Sequence, residues 1–159
     1  MKKVLSNVLL GALLTVCSVV IAAETDADPV TGTWKLSLAK STFGGGPPLK
    51  SQIRTYSQSA QGTTLKMKTI SADGKETTTQ TTYRVDGKDY PSMGNPDFDS
   101  LSGMRIDTDT TEFILKRAGK PVGTIRRTVS KDGQTLTLNF VIKDANGVQL
   151  SQLTVFDRQ

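Results

Sequence analysis

Tyrosine, arginine and aspartate must carry any proton transfer in this chain, because none of its 159 residues is histidine. Ser-His-Asp and Cys-His catalysis, His-ligated zinc and His-ligated haem all need an imidazole. The remaining chemical motifs fail one by one. Residues 45–51 are glycine-rich ahead of Lys50-Ser51, but Leu49 stands where a phosphate loop needs glycine for the backbone to wrap a phosphate. Asp107-Thr108-Asp109-Thr110-Thr111-Glu112 begins like a calcium loop and lacks the turn glycine and the distal glutamate. Asp97 and Asp99 flank Phe98 in a proline-containing loop, and their spacing in sequence does not set the separation that glycoside hydrolysis requires. No catalytic residue, metal or cofactor is expected, and the chain reads as a non-enzyme.

The elements that remain are strands. Asp73-Gly74, Asp86-Gly87, Asp132-Gly133 and Asn146-Gly147 favour positive φ and suit tight hairpin turns. Between them lie segments rich in Thr, Val, Ile, Leu and aromatic residues, which fit a pleated, half-buried surface. Alternation assigns faces: Trp34 with Leu36, Leu65 with Met67, Tyr83 with Val85, Phe113 with Leu115, and Leu136 with Leu138 and Phe140. No helical period is sustained. These features predict an all-β fold, a single up-and-down antiparallel barrel of about 8–10 strands over residues 32–159, since closure removes exposed sheet edges. The threonines at 77, 78, 79, 81 and 82 put hydroxyls on both faces of one strand. They read either as an exposed strand or as a polar wall inside a cavity.

The first residues read as an address. Lys2 and Lys3 precede an apolar run over residues 8–21, followed by Ala22-Ala23 and the polar Glu24-Thr25-Asp26. This is the pattern of a cleaved signal peptide, residues 1–23, with a polar lead-in over 24–31. Cleavage falls after Ala22 or Ala23. A lipidated Cys17 is the competing reading, but Val16 is too large for the position before it and the chain stays apolar beyond it. The expected location is periplasmic or secreted, with no stable membrane insertion after cleavage. The formal net charge of +5 is spread along the chain, and two of its lysines leave with the signal, so nucleic acid is not an expected partner. Without Cys17 the mature chain has no disulfide, and its core alone must hold it.

Gly32-Thr33-Trp34-Lys35-Leu36 resembles the opening of the lipocalin and fatty-acid-binding-protein (calycin) superfamily. Residues 32–43, with Asp86-Gly87-Lys88-Asp89-Tyr90-Pro91 and Gly94-Asn95-Pro96, are similar to small secreted bacterial lipocalin-like proteins of unassigned function. The resemblance implies a barrel around a ligand cavity, with Gly32 and Trp34 structural at its closed end and Arg158 or Arg126 covering the indole. It also implies an anion anchor, an Arg on the eighth strand and Arg-x-Tyr on the tenth. Arg127 matches the first Arg, on a face with Ile125 and Val129, whereas Thr154 and Phe156 replace the Arg and the Tyr. The short, broken segment over residues 39–50 leaves no room for a two-helix lid.

Two functions follow. One is an exported protein that binds or carries a small hydrophobic molecule, with Arg127, Tyr83, Met67, Phe113, Leu115 and Phe140 as the ligand-binding residues. The other is an envelope interaction module with a filled barrel, acting through Phe43, Tyr90, Met93 and Phe98 on its loops. Interior volume separates them, at about 300 Å³.

Overall fold

The computed structural model describes residues 28–44, 49–95, 97–143 and 146–159. The expected signal peptide, residues 1–23, and Cys17 lie outside the described residues. The strands are β1 (Gly32–Leu36), β2 (Thr42–Phe43), β3 (Ser51–Ser59), β4 (Gly62–Ile70), β5 (Glu76–Tyr83), β6 (Asp86–Pro91), β7 (Ser100–Arg105), β8 (Thr110–Arg117), β9 (Lys120–Val129), β10 (Thr135–Lys143) and β11 (Gln149–Arg158). A short 3₁₀ turn, Leu38–Lys40, separates β1 from β2. The ladder runs β5-β4-β3-β1-β11-β10-β9-β8-β7-β6, with β2 added beside β11. Every pairing is antiparallel, and β1 joins β3 to β11 to draw the sheet round. The fold is the all-β up-and-down barrel expected, with the ends of the ladder, β5 and β6, consecutive in the chain.

The turn signals act in two ways. Asp132 Oδ1 accepts the Gln134 N–H at 3.0 Å, and Gly133 takes φ 69°, so this Asp-Gly pair forms the β9–β10 turn as its chemistry dictates. Asp86-Gly87, also expected as a hairpin turn, instead opens β6. The β6–β7 register shifts between Asp86 and Asp89 there, and Asp86 takes the Lys88 N–H at 3.1 Å and the Tyr90 hydroxyl at 2.9 Å. The same positive-φ glycine serves a bulge, which absorbs one extra residue and bends the strand.

The alternation places side chains in layers. Arg54 on β3 stands opposite Trp34 on β1 and Met67 on β4, and Met67 stands opposite Thr79 on β5. One end of the interior is filled by Val30, Trp34, Leu136 and Phe156, all fully buried. Val30 belongs to a segment expected as a polar lead-in. The composition concealed that residues 28–31 fold over the closed end, with Val30 and Asp28 both buried. Arg158 locks them there, donating to the carbonyls of Thr31 at 2.9 Å and Pro29 at 2.8 Å and stacking on Trp34 at 4.1 Å. Of the two arginines proposed to cover the indole, Arg158 does so. Gly32 (φ 130°) makes this approach possible, since a Cβ there would lie 2.6 Å from the Arg158 Nη1.

A second cluster unites Tyr83, Phe98, Leu101, Phe113, Leu115 and Ile142. Tyr83 and Phe113 meet edge to face, with ring centroids 5.2 Å apart. Phe113 lies over Gly103, its register partner on β7, where an added Cβ would stand 2.7 Å from the ring. Gly103→Ala is therefore expected to lower stability by about 1–3 kcal/mol through overpacking, read as a shift in the urea midpoint at unchanged m value.

Candidate functional site

Above the packed end the barrel is hollow. A cavity of about 330 Å³ opens between β5 and the β6–β7 loop. Its walls differ in chemistry. On one side β9 and β10 present Ile125, Leu138 and Phe140, joined by Leu101 and by Phe98 from the β6–β7 loop. On the other, β5 presents Thr77, Thr79, Thr81 and Tyr83, while β3 presents Gln52 and Arg54. Leu65 and Met67 on β4 form an apolar strip between those two strands. The alternation of β5 thus resolves the threonine run: residues 77, 79 and 81 face the cavity, and Thr82 faces away to meet Thr64 at 2.9 Å. The polar-wall reading of that strand is the one the structure adopts.

The expected ligand residues divide. Tyr83, Met67 and Phe140 line the cavity. Phe113 and Leu115 do not; both are buried in the aromatic cluster that backs it. Arg127, expected as the anion anchor, also lies outside the lining and already holds a counter-charge and two hydroxyl partners. Its Nη2 donates to Asp28 Oδ2 at 2.8 Å and to Thr111 Oγ1 at 2.9 Å, and its Nη1 donates to the Tyr83 hydroxyl at 2.9 Å. Its guanidinium also faces the rings of Tyr56 and Phe113. Asp28 escaped the sequence reading because it lies 99 positions away, in the segment taken as a lead-in. No local signal links the two.

The charges of this buried cluster hold one another. Burial pushes the Asp28 carboxyl up, but the neighbouring Arg127, the Val30 N–H and Arg105 outweigh it, leaving the group below its ordinary value. Arg105 reaches the same Oδ2 at 2.7 Å. Burial is also the main reason the Tyr83 hydroxyl is pushed well above its usual range, so it stays protonated and accepts a hydrogen bond from Arg127 as a neutral phenol.

The cation that does line the cavity is Arg54, which the sequence reading did not select. Its Nε donates to Gln52 Oε1 at 2.8 Å, its Nη1 reaches the Tyr56 hydroxyl at 3.4 Å, and its guanidinium lies 5.0 Å above the Phe156 ring. Among the described residues no carboxylate pairs with it. The signal was present: Gln52, Arg54 and Tyr56 alternate on one strand face. At the mouth, Asp97 is faced by Arg117, whose Nη2 lies 3.9 Å from Oδ1 and also donates to the Asp97 carbonyl.

The loop residues divide in the same way. Met93 is exposed at the mouth, whereas Phe98 is buried and forms part of the wall. A second depression, near the β3–β4 turn, is bordered by Gln58, Thr63 and Arg84. The Arg84 guanidinium is occupied there by the carbonyls of Ala60 and Gln61.

No protein-family model matches the chain, and no curated protein matches its sequence. Its fold has solved counterparts. It is similar to the zebrafish ileal bile acid-binding protein complexed with cholic acid, at 11% identity and a TM-score of 0.52, over 82% of this chain and 99% of that one. It is also similar to As-p18, an extracellular fatty acid binding protein, at 15% identity and a TM-score of 0.51, over 83% and 97% of the two chains. At these identities the likeness is one of fold alone, the up-and-down antiparallel barrel.

Proposed function

We propose that this protein is an exported carrier that binds a small, mostly apolar molecule inside its barrel. The observation that carries the reading is the 330 Å³ cavity, which one end of a fully packed interior would not leave. That volume falls at the lower end of the range for small-molecule sites, and its lining has their character, apolar walls with a few polar groups converging. The fold neighbours, one complexed with cholic acid and one a fatty acid binding protein, support the same reading. Export rests on the N-terminal sequence, and intact mass of protein from the cell envelope, starting at Ala23 or Glu24, tests it.

The binding test starts from delipidated protein. A fluorescent hydrophobic probe is expected to bind and to be displaced by a long-chain amphiphile. Thr79→Trp, which puts an indole into the cavity, is expected to weaken that binding at least tenfold while the protein still unfolds cooperatively. Probe binding that is indifferent to Thr79→Trp would place the ligand elsewhere and leave the interaction-module reading. Native mass spectrometry of envelope-purified protein should show an adduct.

A further inference from the structure

We infer that the ligand is an anionic amphiphile carrying hydroxyl groups along one face, its acid group on Arg54 and its hydroxyls on the threonine row of β5. The inference rests on the binding reading above and specifies the chemistry of the same cavity.

Arg54 supplies the charge. Its Nε and Nη1 are engaged by neutral acceptors, Gln52 and the Tyr56 hydroxyl, and its Nη2 has no partner among the described residues. Arg127, the other inward arginine near the cavity, is neutralised by the Asp28 carboxylate and also bonds Thr111 and Tyr83. An incoming anion therefore meets, among the described lining residues, one cation that no carboxylate neutralises. The site is half-buried and partly apolar, where a charge-assisted hydrogen bond is stronger than in water. Gln52, 6% exposed, fixes the guanidinium, because its own Nε2 donates to Thr69 at 3.0 Å and so turns Oε1 towards Arg54. The Phe156 ring beneath the guanidinium holds its plane.

The threonines supply the hydroxyl contacts. Thr77, Thr79 and Thr81 recur at every second residue of β5, so neighbouring hydroxyls stand about 7 Å apart along the wall. No other described side chain hydrogen-bonds any of the three, while Thr82 and Thr64 on the opposite face pair with each other. The row becomes less exposed from Thr77 at the mouth towards buried Tyr83. Across the two intervening strand spacings, Thr79 and Arg54 share one layer about 10 Å apart, with Met67 between them. The facing wall of Ile125, Leu138 and Phe140 offers no hydrogen bond and suits an apolar face. A plain alkyl chain would leave the threonine row without partners. A molecule with one hydroxylated and one apolar face satisfies both walls.

The test titrates delipidated wild-type protein by calorimetry with cholate, which has a carboxylate and hydroxyls on one face, with its neutral methyl ester, and with palmitate, which has the acid but no hydroxyls. Wild type is expected to bind cholate at least tenfold more tightly than the ester. Arg54→Gln is expected to remove that preference, weakening cholate more than tenfold and the ester less than twofold. Thr79→Val/Thr81→Val is expected to weaken cholate about tenfold and leave palmitate unchanged or tighter. Arg54→Lys, which keeps the charge but loses the planar fork, should recover part of the acid preference, and thermal unfolding of each variant confirms an intact fold. Equal binding of acid and ester by wild type, or an acid preference unmoved in Arg54→Gln, overturns the Arg54 assignment. Palmitate bound more tightly than cholate, with no response to the threonine substitutions, overturns the hydroxylated ligand. In each of those cases the carrier reading stands; in this titration it falls if none of the three ligands binds.

Discussion

Asp28→Ala is expected to destabilise the protein by about 3–5 kcal/mol, because it leaves the Arg127 guanidinium buried without a counter-charge. Both side chains of the pair are 3% exposed, so water cannot replace the lost carboxylate. The double variant Asp28→Ala/Arg127→Met should recover much of that loss, since an apolar side chain of similar length removes the orphaned charge with its partner. Urea unfolding of the three proteins measures it; an Asp28→Ala loss below about 1 kcal/mol would mean that the pair is solvated. The same ion pair makes the fold sensitive to acid. The folded-state pKa of Asp28 lies below its unfolded value, because Arg127, the Val30 N–H and Arg105 together outweigh the effect of burial. The stabilisation is therefore complete above about pH 4, where the unfolded carboxyl is ionised, and is lost as the pH falls towards the folded value. Thermal unfolding between pH 6 and pH 3 should show wild type losing stability more steeply than the double variant.

What was legible in the sequence followed from local rules. The strand faces carrying Trp34, Met67, Tyr83 and Phe140 obey a period of two, and a barrel that must bury one face of each strand leaves their direction little freedom. The role of Trp34 at the closed end came from resemblance alone, which left Arg158 and Arg126 as alternatives for its cover. Three things were hidden. The parity that placed Arg127 on the inner face was right, but parity does not say which layer of the interior is filled. Val30 and Asp28 fold back over that layer from a segment whose composition is polar, and their partners lie far along the chain. Arg54 sat on an alternating face between Gln52 and Tyr56, yet a polar alternation looks the same whether it faces solvent or a cavity. Only closure of the barrel decides between them. The Asp86-Gly87 bulge has the same origin: positive φ is a local property, whereas a turn and a bulge differ in what pairs on either side.

Trp34→Ala is expected to cost about 3–5 kcal/mol, the range for deleting a large aromatic from a packed core. The indole is fully buried, its Nε1 donates to the Val30 carbonyl at 2.7 Å, and one face carries the Arg158 guanidinium at 4.1 Å. Deletion opens a void in the cluster that also holds Val30, Leu136 and Phe156, strips a buried carbonyl of its donor and removes the surface on which Arg158 rests while it holds residues 29 and 31. Trp34→Phe, which retains most of the volume and loses the donor, should cost less, about 1–3 kcal/mol. Because Trp34 is the sole tryptophan, wild-type emission should be blue-shifted in the native state and move red on unfolding, which supplies a second probe of the transition. Ligand affinity separates the closed end from the cavity. Trp34 does not line the cavity, so Trp34→Phe should change binding less than twofold, whereas Arg54→Gln, one layer-mate away across β1 and β3, should leave stability nearly intact and change binding strongly. A Trp34→Ala loss below about 1 kcal/mol would mean that the closed end is not packed as described. If Trp34→Phe instead weakened ligand binding severalfold at little loss of stability, the indole would belong to the ligand site and the division of the barrel into a filled half and a hollow half would fail.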